Sequence, residues 1–195
     1  MTCALVVGCA DSVWDEVEAA QKLATFDAFY VVKMAGIHWD QGYFHWITLH
    51  PEYMTGYKAK RKELGLPDNF EIVAPDINEV GTHWQHPCDR RVSYRWPNMT
   101  SSGSSGLYAV KVALDDGHDR VVLAGVPMER GGNHFARGKE WTQRDCFAET
   151  WKQMLSKIKP NVRSMSGWTM SLLGAPDSTW LAGNDAGDTQ KVKVS

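Results

Sequence analysis

Apolar residues recur along this chain in two rhythms. Unbroken short runs at Cys3–Val7 (CALVV), Ala28–Val32 (AFYVV), 45–49 (HWITL), 70–73 (FEIV), Arg120–Ala124 (RVVLA) and 162–165 predict strands buried on both faces. Between them the spacing turns helical. In Val13–Leu23 the apolar residues are Val13, Trp14, Val17, Ala20 and Leu23. Ser12 stands at the N-cap, and Asp15 and Glu16 lie in the first turn, where the helix dipole favours anions. Residues 52–64 predict a basic, exposed helix stopped by Gly65 and Pro67, and 107–114 a helix ending near Gly117. Residues 142–158 predict one amphipathic helix with Cys146, Phe147, Thr150, Trp151, Met154 and Ile158 on a single face.

Strands alternating with helices predict an α/β fold: a single Rossmann-like domain, its mostly parallel sheet flanked by helices. The domain is expected over 1–182, with 183–195 a flexible tail that lacks apolar periodicity. Two stretches break the pattern. Residues 75–103 carry Pro75, Gly81, Pro87 and Pro97 among few apolar runs, and 131–138 is polar and glycine-rich. A long irregular segment inside a compact domain is commonly functional or mobile.

Composition narrows the reading. A chain of 195 residues suits one domain with a sizeable core. A net charge of −2 and a pI near 6.4 supply no global basic field for nucleic acid. The basic run from Lys58 to Lys62 could touch phosphates, but such a face is usually solvated. Four scattered cysteines without a C-x-x-C pair favour reduced thiols and a cytoplasmic location, the host cytoplasm if the chain is phage-encoded. No apolar run is long enough to span a membrane. Nine tryptophans suit core and interface packing or the stacking of planar ligands. A homo-oligomer is compatible with all of this.

Ligands of open α/β sheets bind beyond the carboxyl ends of the strands, so the candidates are ranked by that rule. The first strand passes through Gly8, Cys9, Ala10, Asp11 and Ser12 directly into a helix, a turn that could hold an anion or simply connect two elements. It is neither a G-x-G-x-x-G nor a Walker loop. The stretch SSGSSG ends in Ser104, Ser105 and Gly106, immediately before a helix and a buried strand. That setting favours a binding turn over a linker. His50 follows the third strand and His134 sits in the loop after the Gly125 strand. Either could act as a general base, while His50 could instead cap a helix. His83, His86 and Cys88 share a loop, but no second ligand pair sits at a zinc-site spacing, so no metal is expected.

Taken in order, SSGSSGLYAVKVALDDGHDRVVLAGVPM, ALVVGCADS, HWITLHPE and SMSGWTMSLLGAP resemble segments of Rossmann-like phage and prophage proteins of unknown function. Those proteins are related to the bacterial sialyltransferase family typified by the Campylobacter enzymes. The resemblance implies a nucleotide or nucleotide-sugar ligand embraced by Gly8, Cys9, Ala10 and Ser12 on one side and Ser104, Ser105 and Gly106 on the other. It further implies His134 as base toward an acceptor hydroxyl. The sequence departs from that family at Cys9 and Asp11, where it has Asn and Pro, and near Lys33, where an Asn is usual. The family's tyrosine pair has no counterpart in 129–140, and Arg130, Arg137 or Lys139 could supply its charge. The expected function is therefore glycosyltransferase-like, acting at an activated glycosidic bond. The alternative is a non-catalytic phage protein that sequesters a nucleotide or small phosphorylated ligand.

Overall fold

The structure, a computed structural model, describes residues 1–76, 86–101, 103–136 and 142–184. The strands are β1 (Cys3–Val7), β2 (Ala28–Val32), β3 (Phe44–Ile47), β4 (Phe70–Ala74), β5 (Arg90–Arg91), β6 (Arg120–Ala124) and β7 (Val162–Ser164). The helices are α1 (Val13–Leu23), α2 (Ala35–His38), α3 (Met54–Glu63), α4 (Ser104–Asp115), α5 (Arg144–Gln153), α6 (Leu155–Ile158), α7 (Gly167–Leu173) and α8 (Ser178–Leu181). The described strands form one sheet in the order β5-β4-β3-β2-β1-β6-β7, and every neighbouring pair is parallel. This is the expected α/β, Rossmann-like architecture.

Side chains alternate across the sheet and divide the interior into two cores. Ala4, Val6, Tyr30, Val121 and Leu123 point to the face covered by α4, α5 and α6, where Leu107, Tyr108, Trp151 and Ile158 pack. Leu5, Val7, Val31, Trp46 and Val122 point to the face of α1, α2 and α8, with Val13, Val17, Ile37 and Trp180. The continuous apolar runs are thus the expected consequence of a strand covered on both sides.

Four local readings change. The helix expected at 107–114 begins at Ser104, so Ser104, Ser105 and Gly106 form its first turn rather than a loop before it. The single helix over 142–158 is divided at Met154 into α5 and α6, and Cys146 lies exposed instead of on the packed face. The basic helix α3 is not wholly exposed: Arg61 is fully buried, its guanidinium 5.0 Å from the Phe44 ring and donating to the carbonyls of Gly36, Trp39 and Pro67. Its charge serves packing. Finally, α2, α7 and α8 appear where no helix is expected; Gly167 at φ +66 opens α7, against Pro127. Of the expected tail, Gly183 and Asn184 continue the last turn by hydrogen bonds to Trp180 and Thr179, while 185–195 lies outside the described residues.

A polar network ties β2, β3, β4 and β5 to the end of α4. Tyr30 donates to Asp116 (2.8 Å), and Arg90 donates to both Asp116 oxygens (2.6 and 2.9 Å) and to Glu71 (3.2 Å). His45 meets Glu71 at 2.7 Å, and His118 Nε2 donates to the Tyr30 hydroxyl at 3.1 Å. Burial acts to raise the Asp116 carboxyl, but the hydrogen bonds from Arg90 and Tyr30 outweigh it and hold it below its ordinary range. Burial pushes the His118 imidazole down.

Two predictions follow from this packing. Both depressed groups stabilise the fold where they are deprotonated, so stability falls on acidification. The loss begins as pH drops through 6.5, the ordinary value of His118, and resumes below 3.8, that of Asp116. Urea midpoints measured against pH should show both limbs in the wild type, and His118→Gln should lack the upper one. The second concerns Gly8, where a Cβ would stand 2.1 Å from the Gly125 carbonyl oxygen and 2.6 Å from Val126 Cγ2. Gly8→Ala should therefore cost about 1–3 kcal/mol in urea unfolding, as overpacking does.

Candidate functional site

Because all strands run the same way, the turns after β1, β2, β3, β6 and β7 gather along one edge. Strand β1 leaves for α1 on one face, and β6 leaves for α5 on the other, so the topological switch point lies between β1 and β6. The nucleotide-binding and acid–base candidates read from the sequence fall on this edge. Gly8, Cys9, Ala10 and Ser12 follow β1; Lys33 follows β2; His50 follows β3; His134 lies in the loop after β6. Ser104, Ser105 and Gly106 open α4, and a Cβ on Gly106 would come within 2.9 Å of Val126, which places the start of α4 at the same edge.

The α1 side of the switch point is filled by the protein itself. Gly8 N donates to Ala124 O (2.7 Å), Ala10 N to Gly125 O (3.1 Å) and Asp11 N to Asn133 O (3.0 Å). The loop after β6 folds back here: Ala10 and His134 form an antiparallel bridge, and Phe135 N donates to Cys9 O. Glu16, only 8% exposed, projects its carboxylate from the first turns of α1 into the same place. It accepts from Gly125 N (2.7 Å), Ser12 Oγ (2.5 Å) and Ser166 Oγ (2.6 Å). Ser12 occupies the N-cap position, but its hydroxyl serves Glu16 and makes no capping bond. The Cys9 thiol donates to Val32 O at 3.2 Å. An anion held by α1 is thus a carboxylate of the chain itself.

The opposite helix start differs. Gly103 (φ +63) and Ser104 (φ +91) take left-handed backbone conformations at the entry to α4. The first-turn amides of a helix have no carbonyl partner one turn back. Ser104 Oγ accepts from Leu107 N and from Trp151 Nε1, both at 3.4 Å, and Ser105 is 6% exposed with no hydrogen-bond partner at its hydroxyl. Lys33, at φ +46, brings a cationic side chain to the end of β2. Non-glycine residues in this region cluster at functional sites because surrounding structure must sustain the strain.

The two histidines are prepared for different work. His134 Nδ1 accepts from Ala136 N–H at 3.1 Å, so the neutral ring carries its proton on Nε2 and presents a donor there. His50 Nδ1 donates to Glu52 Oε1 at 2.9 Å, which leaves the Nε2 lone pair as its basic atom. His50 holds the N-cap position of the short helical turn at Pro51–Tyr53, yet its side chain makes no capping bond. Strands β1 and β3 are two spacings apart, roughly 10 Å. The two imidazoles therefore sit along one edge but are not brought onto a single atom.

An open cleft of about 390 Å³ lies farther along, at the ends of β6 and β7, lined by Met128, Glu129, Arg130, Arg144 and Trp168. Arg144 donates to Met128 O (3.3 Å) and to Asp145 (2.7 Å), and its guanidinium lies 4.8 Å from the Trp168 ring centroid. Arg130 reaches the same Asp145 at 3.2 Å, and Met128 is held at φ +52. Sequence reasoning singled out Arg130 but missed Arg144, Trp168 and Glu16. Gly167 beside Trp168, after a short buried strand, was the available signal. Arg137 and Lys139 lie outside the described residues, as does His83. Among the described residues no three His, Cys, Asp or Glu side chains are grouped to hold a metal ion, and no helix is long and apolar enough to cross a membrane.

The fold defines a doubly wound α/β protein with its switch point between β1 and β6. Comparison with family models, with curated proteins and with solved structures finds no match.

The Glu16 carboxylate joins β6, the β1–α1 turn and the β7–α7 turn. Glu16→Ala should cost about 3 kcal/mol or more in urea unfolding, since it leaves a buried amide without its charged acceptor. Glu16→Gln, which keeps an acceptor oxygen, should cost markedly less.

Proposed function

We propose that the carboxyl edge binds a nucleotide or nucleotide-sugar and that the protein is a glycosyltransferase-like enzyme acting at the activated glycosidic bond. The observation that carries this reading is the division of labour along the edge. Glu16 fills the start of α1, the first turn of α4 carries no acidic residue, and a histidine with a basic Nε2 follows β3. The phosphate goes to the α4 side, where the first-turn amides before Leu107, the Ser105 hydroxyl and the Lys33 charge favour an anion.

The resemblance assigned the base to His134. The hydrogen bond from Ala136 N–H occupies the Nδ1 lone pair and leaves the proton on Nε2, which argues against that role. The base is then His50, oriented by Glu52 as a carboxylate orients imidazole in other acid–base sites. The acceptor hydroxyl loses its proton to His50 Nε2 as it attacks the anomeric carbon, and the phosphate departs with the bonding electron pair. Placement in a phage belongs to the same proposal and rests on the resemblance, while a cytoplasmic location rests on the four free cysteines.

Native mass spectrometry of freshly purified protein should reveal a bound nucleotide, and a panel of nucleotide-sugars should yield free nucleotide on incubation. His50→Gln should lower kcat by about 10²–10⁴-fold while retaining nucleotide affinity. Glu52→Gln should lower kcat less, with KM unchanged. Nucleotide-sugars that bind the wild type and return unaltered would identify the sequestering protein instead, and failure of every nucleotide to bind would reject both.

A further inference from the structure

We infer that the cleft of Met128, Glu129, Arg144 and Trp168 is a nucleobase subsite, in which Arg144 and Trp168 form a stacking platform for a base bearing an exocyclic amino group. This rests on the nucleotide reading above and adds where the base lies and which bases fit.

Arg144 is the centre of the argument. Its side chain is 20% exposed, its Nε is turned to the Met128 carbonyl, and its NH1 is turned to Asp145. Two of its hydrogen-bonding edges are thereby committed to the protein, and those bonds fix the plane of the guanidinium. The indole of Trp168 backs that plane at 4.8 Å. What such a group offers a ligand is its flat outer face, which suits a planar aromatic ring better than a phosphate.

Geometry along the edge agrees. The cleft lies at the ends of β6 and β7, on one side of the switch point, while His50 follows β3 on the other. From β3 to β7 is four strand spacings, roughly 19 Å, about the length of an extended nucleotide-sugar. With its base in the cleft, the ligand runs along the α4 side of the edge, with its phosphate at the start of α4 and its sugar toward His50. Glu129 lines the cleft, is exposed and carries an acceptor-only carboxylate. It receives hydrogen from an amino group, as carboxylates do from the amino group of cytosine, and offers nothing to a base that shows only carbonyl oxygen there.

The test is isothermal titration of the wild type with CMP, GMP, AMP, UMP, the matching nucleosides and pyrophosphate, repeated with Trp168→Leu, Arg144→Lys and Glu129→Gln. Thermal melts accompany each variant. The amino-bearing CMP, GMP or AMP should bind the wild type more tightly than UMP. Trp168→Leu and Arg144→Lys, the latter keeping charge but losing the plane, should each weaken that binding about tenfold and leave pyrophosphate affinity unchanged. Glu129→Gln, at an exposed position, should remove the preference over UMP. Nucleotides that bind all three variants as they bind the wild type would overturn the subsite while leaving the nucleotide reading intact. Loss of pyrophosphate binding in parallel with nucleotide would also overturn it, as the cleft would then be a phosphate site. If no nucleoside or nucleotide binds the wild type, both readings fail together.

Discussion

The closure of β1 onto β6 is the constraint on which the rest depends. Gly8 approaches Gly125 so closely that a Cβ would meet the Gly125 carbonyl oxygen, and Gly125, at φ +69, has no room for one either, because it would meet Val13. The Glu16 carboxylate then locks the junction from the α1 side. It takes the Gly125 amide and two serine hydroxyls from separate turns. A carboxylate with three donors in a site nearly closed to water is strongly held, because each donor would otherwise be buried without a partner. With that junction set, the neighbouring turns have one arrangement. The loop after β6 folds back over Ala10, and the β7–α7 turn presses Gly167 onto Pro127.

This self-filled junction has a chemical consequence. In doubly wound folds the first strand–helix turn is the usual seat for a phosphate, because α1 points its amides and its positive end at the switch point. Here that end already faces a negative charge, and a phosphate beside Glu16 would meet repulsion at low dielectric. The first turn of α4, by contrast, carries no acidic side chain, and the Arg144–Trp168 pair lies at the other end of the edge, beyond β6.

Much of the fold was legible because parallel strands buried on both faces leave no ambiguity of pattern. CALVV, AFYVV and RVVLA have no polar alternation, and they became β1, β2 and β6 with the expected bounds. Helix starts were harder to read. Ser104, Ser105 and Gly106 have weak helix propensity and read as a turn, yet tertiary packing against Val126 and Trp151 draws them into α4. Arg61 escaped notice for a similar reason. Its neighbours Lys58, Lys60 and Lys62 mark a solvated face, and only the fold reveals carbonyls at Gly36 and Trp39 waiting for a donor. The site's location was legible from one rule about strand ends. Its chemistry was not, because tautomer and partner depend on contacts such as Ala136 N to His134 that no local pattern encodes.

The turn after β1 is closed by contacts within the chain. The Cys9 thiol turns away to Val32 O, and the Asp11 amide bonds Asn133 O in the loop after β6. The Glu16 carboxylate, buried beside them, takes three donors from the same junction. Each of those donors would be costly to leave buried without its acceptor, so the turn, the loop that folds over it and the start of α1 hold their places as one unit.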